Sequence, residues 1–278
     1  MQPQTKTIIY DESCPLCAAY TNAFVVTGLV SKDARKNFST VSPQLISLID
    51  SRRAANEIPV IDAHTNQVWY GIDALLEIFG QRFPLVKKCG NIKPVKWMLI
   101  KFYKFISFNR RVIVAKNQAA ASYDCTPDFN IRYRLFFMLL FLIFNTCMLA
   151  PLQQYLLTKS MFTATTIQQL QWAHTTIVAL NILIAASIGQ KAGIEYLGQV
   201  NMLALLCILL TIPLIIINKY AHPTSIINNL SLGVITLVII KEYMRRMKFA
   251  GIFKNNLWVA YINGGSILIM TLFLLLNR

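Results

Sequence analysis

The second half of the chain contains five apolar segments, and this feature limits the possible folds more than any other. A bilayer core about 30 Å thick is crossed by a helix of about 20 apolar residues. The five segments lie at about 135–157, 172–189, 197–217, 224–240 and 257–276, and the fourth is the shortest. We therefore predict an all-α transmembrane bundle of about five helices over residues 135–278.

Charged residues are distributed unevenly between the two halves of the chain. They make up 14% of all residues, against about 25% in an ordinary soluble domain. Residues 1–134 hold 18 Lys or Arg and 10 Asp or Glu, whereas residues 135–278 hold only 9 and 2. The 55% share of hydrophobic residues excludes a disordered chain. The uneven charge favours a soluble front domain joined to a membrane domain over one soluble globule.

The loop charges predict the orientation of these segments. In multi-pass membrane proteins the loops rich in Lys and Arg face the cytoplasm. Arg132 and Arg134 precede the first segment, and five Lys or Arg lie between the fourth and the fifth. We predict a multi-pass protein of the inner (cytoplasmic) membrane, with its N-terminal domain in the cytoplasm and its C-terminus outside. The first residues show no basic stretch followed by an apolar one, so no cleavable signal is expected.

Asparagines interrupt several of the apolar segments. Polar groups within a membrane often mark functional sites, but they also form hydrogen bonds between helices. We favour the second interpretation for six asparagines: Asn145, Asn181, Asn201, Asn228, Asn229 and Asn263.

The first 84 residues have the pattern of a small α/β domain. Strands are predicted at 6–11, 38–41, 58–62 and 67–70, and helices at about 15–30, 43–53 and 72–81. A turn at 64–66 makes the last two strands a hairpin. The order β-α-β-α-β-β-α is typical of the thioredoxin type, and we predict a thioredoxin-like domain over residues 1–84.

Cys14 and Cys17 lie where the first strand meets the first helix, and Pro15 suits the first turn of that helix. The unpaired N–H groups and the positive dipole end of a helix N-terminus favour a thiolate, so the pKa of Cys14 should lie below that of free cysteine. Cys17, one turn further along, is close enough to form a disulfide. Thiol–disulfide exchange needs this arrangement, with an exposed attacking thiol and a sheltered resolving thiol.

Pro59, which starts a strand 42 residues after Cys17, is the second element of this predicted site. In thioredoxin-like folds a cis proline at such a place packs against the dithiol and offers backbone groups to a bound peptide. This context favours a cis Ile58–Pro59 bond, well above the base rate of about 5–6% for such bonds. We expect Tyr10 and Pro59 to line the dithiol, and Tyr10, Pro15 and Ile58 to contact the substrate.

Residues 10–17, YDESCPLC, resemble the YDGxCPxC signature of the DCC family of thiol–disulfide oxidoreductases, with Glu12 where the family usually has Gly. Residues 68–75, VWYGIDAL, are similar to the family's second segment, a strand that ends in G-x-D-A before a helix. The resemblance covers about residues 6–82. It implies a thioredoxin-like fold and a redox role, with Cys14 as the nucleophile and Cys17 as the resolving thiol. Asp11 would accept a proton from Cys17 or cap the helix.

On this interpretation the redox group is the dithiol itself, without a further cofactor, and the client is a thiol-containing protein or a small thiol. Zinc binding by Cys14 and Cys17 with Cys89 and Cys125 has the right number of ligands but lacks a second CxxC, so we predict no metal. Cys125 is alternatively an additional redox thiol that exchanges with Cys14. The alternative function is a membrane scaffold, or a lipid- or quinone-binding protein, whose front domain is regulatory or inert.

Residues 85–134 form a basic connector. From residue 82 to residue 116 there are ten Lys or Arg and no Asp or Glu. Helical spacing over 93–106 gives one side four lysines, Lys93, Lys96, Lys101 and Lys104, and the other side apolar residues. This pattern predicts an amphipathic helix on the anionic inner leaflet, attracted by about 1 kcal/mol for each basic residue. Nucleic acid would be attracted by the same charge, but the continuous apolar side argues against it.

Overall fold

The structure is a computed structural model of the chain and describes residues 6–12, 14–62, 64–115, 127–221 and 223–276. The chain divides into two compact units, Met1–Tyr133 and Arg134–Arg278. The first unit thus extends through the segment that the sequence predicts as a separate connector. The reason is that the long helix of this segment packs against the α/β domain.

The first unit is built on a mixed four-stranded sheet. Its strands are β1 (Lys6–Tyr10), β2 (Arg35–Asn37), β3 (Pro59–Asp62) and β4 (Val68–Tyr70), in the spatial order β2-β1-β3-β4. β1 pairs with β2 in parallel, while β3 pairs with β1 and with β4 in antiparallel fashion. The parallel pair requires a crossover, which contains the first helix, and β3 and β4 form the predicted hairpin.

Six helices complete the described part of this unit. They are α1 (Pro15–Val26), α2 (Pro43–Ile46), α3 (Ser51–Ala54), α4 (Gly71–Arg82), α5 (Pro84–Gly90) and α6 (Lys93–Ile113). The helix predicted at 43–53 is therefore two short helices, because the Asp50 side chain accepts a hydrogen bond from the Arg53 N–H and starts a new helix there. The strand predicted at 38–41 lies instead at Arg35–Asn37, where it pairs with β1.

Both faces of the sheet are buried, which explains why Ile8 and Ile9 are adjacent in β1. Successive side chains of a strand point to opposite faces. Ile8 packs with Val60 and Ile78 on one face, and Ile9 packs with Ile61 on the other. Phe38 and Val41, which were predicted in a strand, belong to this second core.

The second unit contains helices that are long and apolar enough to cross a membrane. Five such spans are found among the described residues: Ile131–Lys159, Ile167–Ser187, Gln190–Tyr220, Ser225–Phe249 and Trp258–Leu276. The corresponding helices are α7 (Ile131–Tyr155), α8 (Ile167–Ser187), α9 (Gln190–Tyr220), α10 (Ser225–Phe249) and α12 (Trp258–Leu276), with a short α11 (Ile252–Asn255) between the last two. This helical bundle confirms the prediction of about five spans and fits a multi-pass membrane protein.

Buried amides connect these helices, as predicted for Asn228 and Asn263, whereas the buried Oδ1 atom of Asn145 has no hydrogen-bond partner among the residues that the structure describes. Asn218 of α9 and Asn228 of α10 exchange two hydrogen bonds at 2.8 and 2.9 Å. Asn263 of α12 donates to the hydroxyl groups of Tyr196 on α9 and Tyr243 on α10, at 2.7 and 3.1 Å. In lipid such bonds tie helices together because no water competes for the polar groups.

Candidate functional site

The dithiol lies at the N-terminus of α1, directly after β1. Cys14 is the N-cap residue, with extended backbone angles, and Pro15 occupies the first turn. The Cys14 N–H donates to the carbonyl oxygen of Asp11 at 3.2 Å, which closes the turn between strand and helix. The Cys17 N–H donates to the Cys14 sulfur at 3.4 Å. The sulfur thus takes the role that a Ser or Asp oxygen has in most helix caps.

The two thiols are driven to opposite protonation states. The hydrogen bond from the Cys17 side chain outweighs burial and, together with the charge of Arg110 and the Cys17 N–H, lowers the pKa of Cys14 from 9.0 to about 7. The hydrogen bond to Cys14, followed by burial, raises the pKa of Cys17. Above pH 7 the pair therefore holds mainly a sulfur anion at Cys14 and a proton at Cys17.

The sequence analysis predicted an exposed attacking thiol, and this expectation is wrong for Cys14. Cys14 is only 7% exposed and Cys17 only 5%. A helix N-terminus is open to solvent when no other element reaches it, but here a side chain of α6 does. The guanidinium of Arg110, in the last turn of α6, lies with Nη1 3.8 Å from the Cys17 sulfur.

α6 also fixes the loop that leads into β3. Three of its side chains at i, i+4 and i+7 spacing reach the backbone of residues 55–58. Tyr103 accepts from the Ile58 N–H at 2.9 Å, Ser107 donates to the Asn56 carbonyl oxygen, and Arg110 donates to the Ala55 carbonyl oxygen at 2.8 Å. The sequence analysis did not single out this face. The spacing of Tyr103, Ser107 and Arg110 on one side of an otherwise apolar and lysine-rich helix is the signal that would have found it.

Five of the predicted site residues meet around one small cavity. Its lining includes Tyr10, Asp11, Cys17, Ile58 and Pro59, together with Arg110 of α6. The cavity volume of about 10 Å³ is close to what a single water molecule needs. Asp11 is buried, so this cavity brings a carboxyl group, the Cys17 thiol and a guanidinium together out of bulk solvent.

Pro59 begins β3 at this cavity, but its peptide bond is not cis. No cis peptide bond occurs in the described parts of the chain, so the expectation for Ile58–Pro59 is wrong. The N–H of Ile58 is bound by Tyr103 at 2.9 Å, and its carbonyl oxygen accepts from the Gly71 N–H at 3.0 Å. The backbone of Ile58 is therefore already engaged within the chain, where a thioredoxin-type site would offer it to a peptide.

The ring of Tyr10 forms a cation–π contact with Arg35. The guanidinium of Arg35 lies 3.9 Å from the centre of the Tyr10 ring and donates to Thr21 at 3.0 Å and to the Ala18 carbonyl oxygen at 3.1 Å. Arg35 thus ties β2 to α1 beside the dithiol. This contact fixes the position of the ring that we expected to line the site.

The four lysines of the predicted membrane-facing side do not share one environment. Lys93 and Lys101 are exposed. Lys96 forms an ion pair with Asp73 of α4 at 2.6 Å, and Lys104 lines a cavity within the first unit. The exposed side of α6 instead carries large apolar residues, namely Trp97, Met98 and Phe102, which are 65%, 58% and 63% exposed.

The cavity lined by Lys104 has a volume of about 150 Å³, and both positively and negatively charged side chains line it. Arg53, Glu57, Asp73 and Lys104 contribute charged groups, and Tyr103 forms part of the wall. Tyr103 therefore lies between this cavity and Ile58. Nothing in the sequence pattern of isolated elements indicated this cavity, because its walls come from α3, β4, α4 and α6.

The described residues show no group of three or more His, Cys, Asp or Glu side chains that could hold a metal ion. Cys89 is exposed, and Cys125 lies outside the described residues. No family model, no curated protein and no solved structure matches this chain.

Proposed function

We propose that this chain is a membrane-anchored thiol–disulfide oxidoreductase of the DCC type that uses Cys14 and Cys17. The observation that carries the proposal is the hydrogen bond from the Cys17 N–H to the Cys14 sulfur, 3.4 Å long, at the first turn of α1. It supports a stabilised sulfur anion one helical turn from a protonated thiol. That is the pair of states from which exchange starts.

The reaction proceeds in two displacements. The Cys14 thiolate attacks one sulfur of a client disulfide, the client S–S bond breaks, and one client thiolate leaves while a mixed disulfide forms. Cys17 then loses its proton and attacks the Cys14 sulfur, which releases the second client thiolate and leaves a Cys14–Cys17 disulfide. The client disulfide gains two electrons, and the dithiol loses two. The reverse sequence oxidises a client dithiol.

Cys17 needs a base for the second displacement because its pKa is raised. Asp11 lines the same water-sized cavity as Cys17. In the proposed mechanism Asp11 receives the Cys17 proton, directly or through one water molecule. Its alternative role as a helix cap receives less support, since the sulfur of Cys14 occupies the N-cap position.

The fold supports this proposal at a coarser level. A mixed sheet in the order β2-β1-β3-β4, with a dithiol after β1 and a helix after the β3–β4 hairpin, agrees with a thioredoxin-like interpretation. Because Cys14 is buried, attack requires a local opening around the start of α1. A small thiol or an extended peptide segment fits this requirement better than the surface of a folded protein.

The proposed setting is the cytoplasmic face of an anionic inner membrane. Exposed Trp97, Met98 and Phe102 beside Lys93 and Lys101 combine apolar area with positive charge. Such a surface suits the headgroup region of anionic lipid. It would keep the first unit at a membrane surface.

Trapping of mixed disulfides tests the redox proposal. The full-length protein in lipid nanodiscs is incubated with an oxidised small thiol such as glutathione disulfide, and adducts are mapped by mass spectrometry. Cys17→Ser should accumulate an adduct on Cys14, whereas Cys14→Ser and the double variant should not. Cys89→Ser, which changes an exposed thiol outside the cavity, should behave as the native protein. A Cys17→Ser protein that never forms a Cys14 adduct would favour the scaffold or lipid-binding alternative.

A further inference from the structure

Arg110 is held in a fixed position beside the dithiol. Its side chain is only 8% exposed. Nη2 donates to the Ala55 carbonyl oxygen at 2.8 Å, and Nη1 lies 3.8 Å from the Cys17 sulfur. Because the guanidinium is planar, the hydrogen bond from Nη2 to Ala55 also fixes Nη1 beside the Cys17 sulfur.

Nearby anions stabilise a buried cation, and both the Asp11 carboxyl and Cys17 of the dithiol lie at the cavity that Arg110 lines. Burial lowers the pKa of Arg110, but attraction to the Cys17 and Cys14 sulfurs outweighs this effect and raises it. The attraction exists only while a thiolate is present. In a Cys14–Cys17 disulfide neither sulfur carries a charge for Arg110 to attract.

We propose that Arg110 is a positioning residue that stabilises the reduced, thiolate form of the Cys14–Cys17 pair over the disulfide. The inference rests on the proposed function and extends it to the direction of electron flow. When the Cys14–Cys17 disulfide accepts two electrons from a client dithiol, the client forms a disulfide and the new Cys14 thiolate gains the attraction of Arg110. Stabilising the reduced product makes the pair a stronger oxidant.

The placement of this charge depends on α6. Tyr103 and Ser107 bind the same loop as Arg110 and hold α6 against it. The oxidising strength of the dithiol is thus set by a helix that follows the α/β domain in the chain, rather than by the CPLC segment alone.

Two readouts on the full-length protein in nanodiscs test this role. The first is the pH midpoint of Cys14 alkylation by iodoacetamide. The second is the ratio of reduced to oxidised glutathione at which half of the Cys14–Cys17 pair is a disulfide. Arg110 lies 3.8 Å from the Cys17 sulfur, one helical turn from Cys14, and its charge lowers the pKa of Cys14; removing an opposite charge close to a titrating group shifts its pKa by about one unit or more. Arg110→Gln should raise the alkylation midpoint accordingly. Measured at pH 9, where the thiolate dominates in both proteins, it should increase the glutathione ratio needed for half-reduction by up to about ten-fold, and at pH 7 by only about two-fold.

Further variants separate charge from packing. Arg110→Met keeps a long side chain without charge and should give the same shifts, so it decides the question if Arg110→Gln does not fold. Arg110→Lys keeps a positive charge, so its alkylation midpoint and its glutathione ratio should both lie between those of Arg110→Gln and those of the native protein. Arg52→Gln removes a cation from an exposed position of the same unit and should change neither.

The outcomes distinguish this inference from the proposed function. If Arg110→Gln or Arg110→Met folds and both readouts match the native protein while glutathione exchange continues, the inference is wrong and the proposed function stands. If the native protein shows no exchange at Cys14 at all, the proposed function itself fails.

Discussion

The backbone N–H of Cys17 points at the sulfur of Cys14 from 3.4 Å. A neutral thiol is a weak acceptor, whereas a thiolate accepts strongly, so this contact gains strength when Cys14 ionises. The N-terminus of α1 thus stabilises the thiolate through a hydrogen bond to the Cys14 sulfur, and not only through the field of the helix dipole.

The first prediction concerns the titration of Cys14. The lowered pKa of about 7 means that the thiolate dominates above pH 7 and is lost as the pH falls below it. The alkylation rate of Cys14 in the reduced native protein should therefore rise ten-fold per pH unit up to about pH 7 and then level off. Mapping by mass spectrometry gives the rate at this residue. In urea the midpoint should return to about 8.5, the value of free cysteine, and an unchanged midpoint in urea would contradict the prediction.

The second prediction concerns the support of α1. Thr21 is fully buried, donates to the Cys17 carbonyl oxygen at 2.7 Å and accepts from Arg35 at 3.0 Å. Thr21→Val leaves a charged donor without this acceptor, which should lower the opening free energy of α1 by about 1–3 kcal/mol. Hydrogen–deuterium exchange of the α1 amides measures this. Thr27→Val, which removes an exposed hydroxyl of the same kind from the end of α1, should have little effect, and equal effects of the two variants would refute the argument.

The third prediction concerns the contact between α8 and α9. A Cβ added at Gly193 would lie 2.3 Å from the carbonyl oxygen of Ala185, so the two helix backbones approach too closely for alanine. Gly193→Ala should force the helices apart and cost about 1–3 kcal/mol, seen as a lower Tm in detergent micelles. Gly233→Ala on α10 meets nothing within 4 Å and should leave the Tm unchanged or slightly higher.

The fourth prediction concerns the pair of Asn218 and Asn228. Each amide donates to the other, so a single Asn→Leu change leaves its partner buried without that bond. A double-mutant cycle should give a coupling of about 0.6–2 kcal/mol in the free energy of unfolding, measured in mixed micelles with increasing SDS. A coupling near zero would show that the pair does not connect α9 to α10.

The fifth prediction concerns the exposed side of α6. If Trp97 lies in the headgroup region, brominated lipids in nanodiscs should quench it in addition to Trp172 and Trp258 of the apolar helices. Trp97→Phe should therefore lower the quenched fluorescence by the share of Trp97. Quenching should be stronger with anionic than with zwitterionic lipid, and Lys93→Gln with Lys101→Gln should reduce this difference. Identical quenching of the native protein and Trp97→Phe would exclude contact with lipid at this surface.

Several parts of the site were predictable because they depend on neighbouring residues. The order of strand, Cys14, Pro15 and helix follows from residues within one turn of each other. The hairpin of β3 and β4 follows from two short apolar runs and the turn between them. The exposure of Cys14, the isomer of Ile58–Pro59 and the role of Arg110 were missed, because each depends on an element far away in the chain.

The sequence by itself determined the elements whose cause is local. Twenty apolar residues in a row must form a helix in lipid, because no other backbone arrangement satisfies its own hydrogen bonds there. The proline after Cys14 likewise suits the first turn of a helix, so the start of α1 was predictable from neighbouring residues. Only the tertiary structure decided which face of α6 is buried, because the pattern of the helix does not say which of its side chains meet the loop before β3. Packing buried Phe105 and Val112 together with Ser107 and Arg110, and so brought Arg110 to Cys17 across 93 positions of the chain.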